Sequence, residues 1–187
     1  MDDKEKNYFK ALYNVARVIN ASLETSTVLE EIVQRVAAAM QVKACSLRLL
    51  DARRRRLLMG ASCGLSEGYL RKGPILVEES GLDRQALFGE TVWIEDAQTD
   101  EGFQYKDKAK SEGIHSLLVV PLKVGKKSIG VLRAYAGDVR KFNEEEILFL
   151  EAVADLSAIA LENARLHQAL QTDYDLLVAD RNRIDDN

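Results

Sequence analysis

Arg48 and Arg133 each stand in the middle of an apolar, strand-forming run: Ser46-Leu47-Arg48-Leu49 and Val131-Leu132-Arg133-Ala134-Tyr135. A charge is rarely buried without a partner. Each guanidinium must therefore find a bound anion, a local Asp or Glu, or solvent. Its planar fork of donors suits a carboxylate or a phosphate. Tyr135, two residues beyond Arg133, shares its face of the strand. The other reactive side chains offer less. His115 sits at the start of a strand, where it could contact a ligand or bind haem or a metal, though a satisfied strand-end histidine is the simpler reading. His167 falls on a late helix and is expected to face solvent. Cys45 and Cys63 lie in strand-like segments and could approach each other across a hairpin; buried structural thiols are the commoner outcome. The sequence holds no glycine-rich phosphate loop, no serine elbow and no metal-spaced His/Cys cluster. No catalytic residue or metal ligand is assigned, and the cofactor, if any, stays unspecified.

Composition narrows the class of protein. With 187 residues, 47% of them apolar and 30% charged, the chain can build a sizeable core around one domain plus an extension. A net charge of −4 gives no reason to expect nucleic acid or an anionic membrane as a partner. The run Arg53 to Arg56 falls at a hairpin turn and reads as a solvated loop; nucleic-acid binding needs a broader basic surface. No apolar run of about 18 residues occurs, and the N-terminus, Met-Asp-Asp-Lys-Glu-Lys, is not a signal peptide. Two cysteines in such a chain suggest a reduced, cytoplasmic protein.

The elements that must position these residues can be read in order. Tyr8, Leu12, Val15 and Ile19 recur at helical spacing, predicting a helix that ends near Asn20. Ser26 or Thr27 can cap a second helix, with Val28, Leu29, Ile32, Val33, Val36 and Met40 on one face. Ala44–Leu50 and Leu57–Cys63 are strands. Residues 64–73 form a loop with a short helix, and Ile75–Val77 a minor strand. Ser80 or Asp83 opens a short helix ending at Gly89. Val92–Ile94 is a strand, and 95–112 a polar connection with about one helical turn. Strands follow one another without alternating helices, which argues for an α+β fold with an antiparallel sheet of about six strands.

From Ser116 the pattern is clearest. Ser116-Leu-Leu-Val-Val-Pro-Leu-Lys-Val, a polar turn at Gly125-Lys126-Lys127-Ser128, and Ile129-Gly-Val-Leu-Arg-Ala-Tyr form a hairpin. Apolar residues on both parities mean that both faces are covered. Asn143 then caps a long helix with Glu144, Glu145 and Glu146 in its first turn, where the helix dipole favours carboxylates. The strand ending Val120-Pro121-Leu122, the basic turn, Ile129-Gly130-Val131-Leu132, Phe142 and a helix closing on Ala160-Leu161-Glu162-Asn163-Ala164-Arg165-Leu166 together resemble a GAF domain. The resemblance covers residues 1–170, with a core from about 8 to 165, and leaves 171–187 as a helical extension expected to fray.

That resemblance implies a GAF/PAS-like sheet with the terminal helices on one face and a roof of loops and short helices, about residues 64–113, on the other. It implies that the strands of Arg48 and Arg133 are neighbours, so that both guanidiniums could enter a roofed pocket. Phe88, Trp93, Phe103 and Tyr105 would then be roof aromatics, or else core. The signatures of three GAF specialisations are not met. Neither cysteine is followed by His, as in bilin-binding members. Lys141-Phe142-Asn143-Glu144-Glu145 departs from the cyclic-nucleotide signature, and the two cysteines do not fall on the pattern of free methionine-sulfoxide reductases.

The long helix carries a second apolar stripe at 4-3 spacing. Leu156, Asn163, Leu170 and Leu177 occupy heptad position a, and Ala152, Ile159 and Leu166 position d; Asp173 spoils the next d. With Leu12 and Ile19 of the first helix, these residues predict a four-helix homodimer, unless the stripe packs on the protein's own first helix. The expectation is a non-catalytic sensory module that binds a small ligand, an anion suiting the two arginines, and relays it through the dimer to a signalling partner. A ligand-free dimerisation module is the alternative, and a methionine-sulfoxide reductase the more remote one.

Overall fold

Strand alternation sorts the apolar residues into two layers, one on each side of a single sheet. A computed structural model describes residues 3–21, 24–71 and 73–185. Residues 1–2 and 186–187, the outer ends of the expected domain and extension, lie outside the described residues. The elements are α1 (Asp3–Ala21), α2 (Thr25–Met40), β1 (Ala44–Leu50), β2 (Arg56–Cys63), α3 (Glu67–Leu70), β3 (Ile75–Leu76), α4 (Gly81–Leu87), β4 (Val92–Ile94), α5 (Lys106–Glu112), β5 (Leu117–Val124), β6 (Lys127–Tyr135) and α6 (Glu144–Asp185). The sheet has six antiparallel strands in the order β3-β2-β1-β6-β5-β4.

On one face, Leu47, Leu118, Val120 and Leu132 pack under α2 and α6 through Ile32, Val33, Leu150 and Val153. On the other, Leu57, Leu117, Val119 and Val131 meet Tyr69, Ile75, Leu82 and Phe103 from the roof. Full burial of an aliphatic side chain contributes about 1.5–3 kcal/mol, so both layers hold the sheet. The neighbours β1 and β6 lie at its centre, with α1 behind α2 and α6. There Tyr8 stacks on Phe149 with ring centroids 4.6 Å apart.

Gly130 shows why the centre of the sheet admits only this residue. A Cβ there would lie 2.2 Å from the backbone oxygen of Arg48 and 3.1 Å from Leu122 Cδ1. The backbone oxygen cannot retreat without breaking the β1–β6 ladder. Gly130→Ala is therefore expected to cost about 2–3 kcal/mol through overpacking, measured as a lower urea midpoint at unchanged slope.

One boundary differs from the sequence reading. The second helix begins at Thr25 behind Glu24, which makes no side-chain cap bond. Ser26, expected as a cap, lies inside the first turn and donates to Glu24 Oε1 at 3.3 Å. The extension expected beyond residue 170 is helical, with α6 running through Asp185. Losing an apolar heptad position at Asp173 removes a packing contact, but the segment has no Gly or Pro to interrupt the backbone. The start of α6 follows expectation and adds a reciprocal bond. Asn143 Oδ1 accepts from Glu146 N, and Glu146 Oε2 accepts from Asn143 N, both at 2.9 Å.

Candidate functional site

The register of β1 on β6 sets Ser46 opposite Arg133, Arg48 opposite Val131 and Ala44 opposite Tyr135. Opposed residues share a face, so Ser46, Arg48, Arg133 and Tyr135 all project beneath the roof. Arg48 is 3% exposed and Arg133 2%. The roof supplies a counter-ion. Ser80 caps α4 by accepting from Asp83 N, and its hydroxyl donates to Asp83 Oδ2 at 2.6 Å. Asp83, 1% exposed, accepts a hydrogen bond from Arg133 Nη2. A second roof element, α3, brings Tyr69 edge-on to Tyr135, with centroids 6.2 Å apart. It is held by Ser66, which caps Tyr69 N and bonds through its own N–H to Glu112 of α5 at 2.7 Å.

Electrostatics here are unbalanced. Burial would lower the pKa of Arg133, but the Asp83 carboxylate outweighs it and holds the guanidinium above its ordinary value. Arg48 has no such partner. Burial lowers its pKa; Tyr135 opposes this, the charge of Arg133 lowers it further, and Asp83 gives the least support. Arginine does not give up its proton inside a protein, so two guanidiniums share one carboxylate. The Nε atoms of Arg48 and Arg133 are buried with no hydrogen-bond partner among the described residues. Ser46 Oγ and Tyr135 OH bond to each other at 2.8 Å. Burial, with Tyr135 close by, pushes the Tyr69 phenol well above its usual value, so it is a neutral hydroxyl.

Of the eight candidate ligand residues, the fold brings Arg48, Arg133 and Tyr135 together. Phe103 is buried in the roof core, and Tyr105 packs beside it with its hydroxyl donating to the Pro74 carbonyl at 3.2 Å. His115 stands apart: Nδ1 lies 3.1 Å from Asp96 Oδ1 and Nε2 lies 3.2 Å from Gln98 Nε2. It is the satisfied strand-end histidine. Two aromatics do not line the site. Phe88 is 81% exposed at the end of α4. Trp93 is opposite Leu118, whose side chain packs in the helix-side core, so Trp93 faces away from the roof. Sequence reasoning missed Ser46, Tyr69 and the counter-ion role of Asp83; Ser80 and Asp83 carried a visible signal only as a helix start.

The cysteines oppose each other directly across β1 and β2. Cys45 packs in the helix-side core, and Cys63 Sγ donates to the Val33 carbonyl at 3.1 Å. Burial raises the pKa of both free thiols, so neither is a ready thiolate nucleophile. The seam residues divide. Leu12, Ile19 and Leu156 are half-buried against the protomer's own core, whereas Ile159, Asn163, Leu166 and Leu170 are exposed. Phe9, Tyr13 and Leu148 are further exposed apolar residues of α1 and α6, not foreseen from the heptads. Ile19 and Asn163 also border a groove of about 500 Å³ between α1, α2 and α6.

The chain belongs to the GAF domain family, whose model matches residues 24–161. It is 25% identical over 186 residues to the sensor histidine kinase YhcY of Bacillus subtilis, covering 94% of this chain and 47% of that protein. It is 22% identical over 172 residues to a formate hydrogenlyase transcriptional activator of Salmonella typhimurium, covering 89% of this chain and 25% of the relative. The GAF domain of an Acinetobacter phosphoenolpyruvate-protein phosphotransferase superimposes with a TM-score of 0.73 at 26% identity, over 89% of this chain and 97% of that one. The chain thus spans under half the length of the curated relatives it matches. The free methionine-R-sulfoxide reductase of Neisseria meningitidis shares the fold (TM-score 0.74, 23% identity, 89% of this chain and 95% of that one). The GAF homologues in a sensor kinase and a transcriptional activator support a sensory or regulatory GAF module. Among the described residues, no helix is long and apolar enough to cross a membrane, and no group of three or more His, Cys, Asp or Glu could hold a metal ion.

Proposed function

We propose that this GAF module binds a small molecule beneath the 64–113 roof and relays it through α6 to a helical dimer interface in cytoplasmic signal transduction. The observation that carries this reading is the buried Arg48–Arg133–Asp83 cluster, which ties a short roof helix to the centre of the sheet. A charged cluster is an expensive way to fill a core and an apt way to hold a polar ligand. A route outward exists. Thr91, four residues beyond the end of α4, donates its hydroxyl to Glu151 of α6. A ligand that shifts α4 can therefore bias α6, provided it binds the two arrangements with different affinity.

A second reading, a ligand-free dimerisation module, is favoured by the filling of the space under the roof: Arg133, Tyr69 and Tyr135 are among the largest fully buried side chains. Native mass spectrometry, repeated under denaturing conditions, separates the two. A dimer carrying extra mass that denaturation releases is the expected result. A dimer of bare chains favours the second reading, and a clean monomer sinks the relay through the seam.

A further inference from the structure

We infer that the ligand is a small monocarboxylate and that Arg48 is the group that receives its carboxylate. This inference rests on the ligand reading above and deepens it. Arg48 and Arg133 are both enclosed, and Asp83 pairs with Arg133. One positive charge is left over in a cluster of side chains that are nearly closed to solvent. Asp83 is already committed to Arg133 and Ser80, so an incoming anion joins the cluster without displacing it.

Hydrogen-bond supply points the same way. The Nε–H groups of Arg48 and Arg133 have nothing to donate to among the described residues. The bond between Ser46 Oγ and Tyr135 OH uses one of their two hydroxyl hydrogens and leaves the other free. A carboxylate has about four acceptor sites in a plane and meets a guanidinium edge two-to-two. A single negative charge restores neutrality, whereas a phosphate dianion would overshoot it. The ligand must be small, because Tyr69 and Tyr135 already occupy the adjoining volume. Bound there, the carboxylate screens Arg48 from Arg133 and favours the closed packing of roof on sheet.

The test is a titration of the full chain with sodium acetate at constant ionic strength in chloride buffer, followed by thermal unfolding. Saturating acetate is expected to raise Tm by about 4 °C or more, with lactate and pyruvate as larger carboxylate probes. Arg48→Met is expected to abolish the response. In chloride alone it should unfold at or above the wild-type Tm, because methionine fills the position without a charge to compensate. No response of the wild type to any of the three carboxylates overturns the inference, even if the variant fails to fold. A response that survives in Arg48→Met moves the site elsewhere and overturns it too. Stabilisation by phosphate equal to that by acetate overturns the carboxylate assignment. If native mass spectrometry finds a released uncharged molecule and acetate leaves Tm unchanged, the sensory reading stands and this one falls. Bare chains with no carboxylate response sink both.

Discussion

Asp83→Asn is expected to destabilise the protein by about 3–5 kcal/mol, the usual loss when one partner of a buried ion pair is removed. The substitution keeps the shape of the side chain and a group able to accept from Ser80, so the loss isolates the charge. Asp83 and Arg133 are 1% and 2% exposed, which leaves solvent little screening to offer. Arg48 makes the loss heavier, since the enclosed cluster would then hold two guanidiniums and no carboxylate. Urea unfolding checks the value through the midpoint and slope. Adding Arg133→Met should recover most of the loss, because replacing both members of a buried pair by apolar groups is often close to neutral. A loss below about 1 kcal/mol in the single variant would mean that the pair is solvated in solution and that the roof is open.

The contrast between Arg133 and Asp83 explains what could be read from the chain. Arg133, Tyr135 and Arg48 were legible because a charge stands out within an apolar strand, and the strand period places Arg133 and Tyr135 on one face. Asp83 was not, because its partner lies 50 residues away and its own surroundings, Ser80 followed by an acid three residues on, already make sense as a helix start. Trp93 failed for a related reason. Its strand has three residues, too few to show which parity faces the core, and its face is decided by pairing with Leu118. Phe88 caps a short helix at a position where hydrophobicity alone gives no direction. The two cysteines were correctly brought to one hairpin, yet only the packing of α2 over β2 shows that they face the helices rather than the roof.

Ile159→Glu combined with Leu166→Glu is expected to convert a dimer to a monomer with the GAF core still folded. Sedimentation equilibrium reads the first outcome and far-ultraviolet circular dichroism the second. In the protomer both side chains are exposed, so the charges cost the isolated fold little. Across a parallel seam each would be buried twice, once from each copy. At about 1.5–3 kcal/mol for each aliphatic side chain, association should weaken by at least about a thousandfold. The stripe continues through Leu170, 70% exposed, and Leu177, along a 42-residue helix whose second half has few neighbours in its own protomer. Such a helix draws little stability from propensity alone and needs a tertiary or quaternary partner for its apolar side. Three of the seven candidate seam residues are already used at home, since Leu12, Ile19 and Leu156 pack against the protomer's own core. A homodimer seam would thereby be displaced toward the C-terminal half of α6, with Asn163 at its beginning. Asn163→Leu should tighten the dimer while loosening its register, the opposite sign from the glutamate pair. If both variants leave the mass in solution unchanged, the exposed stripe serves another partner, and the route from Thr91 through Glu151 must end on that partner instead.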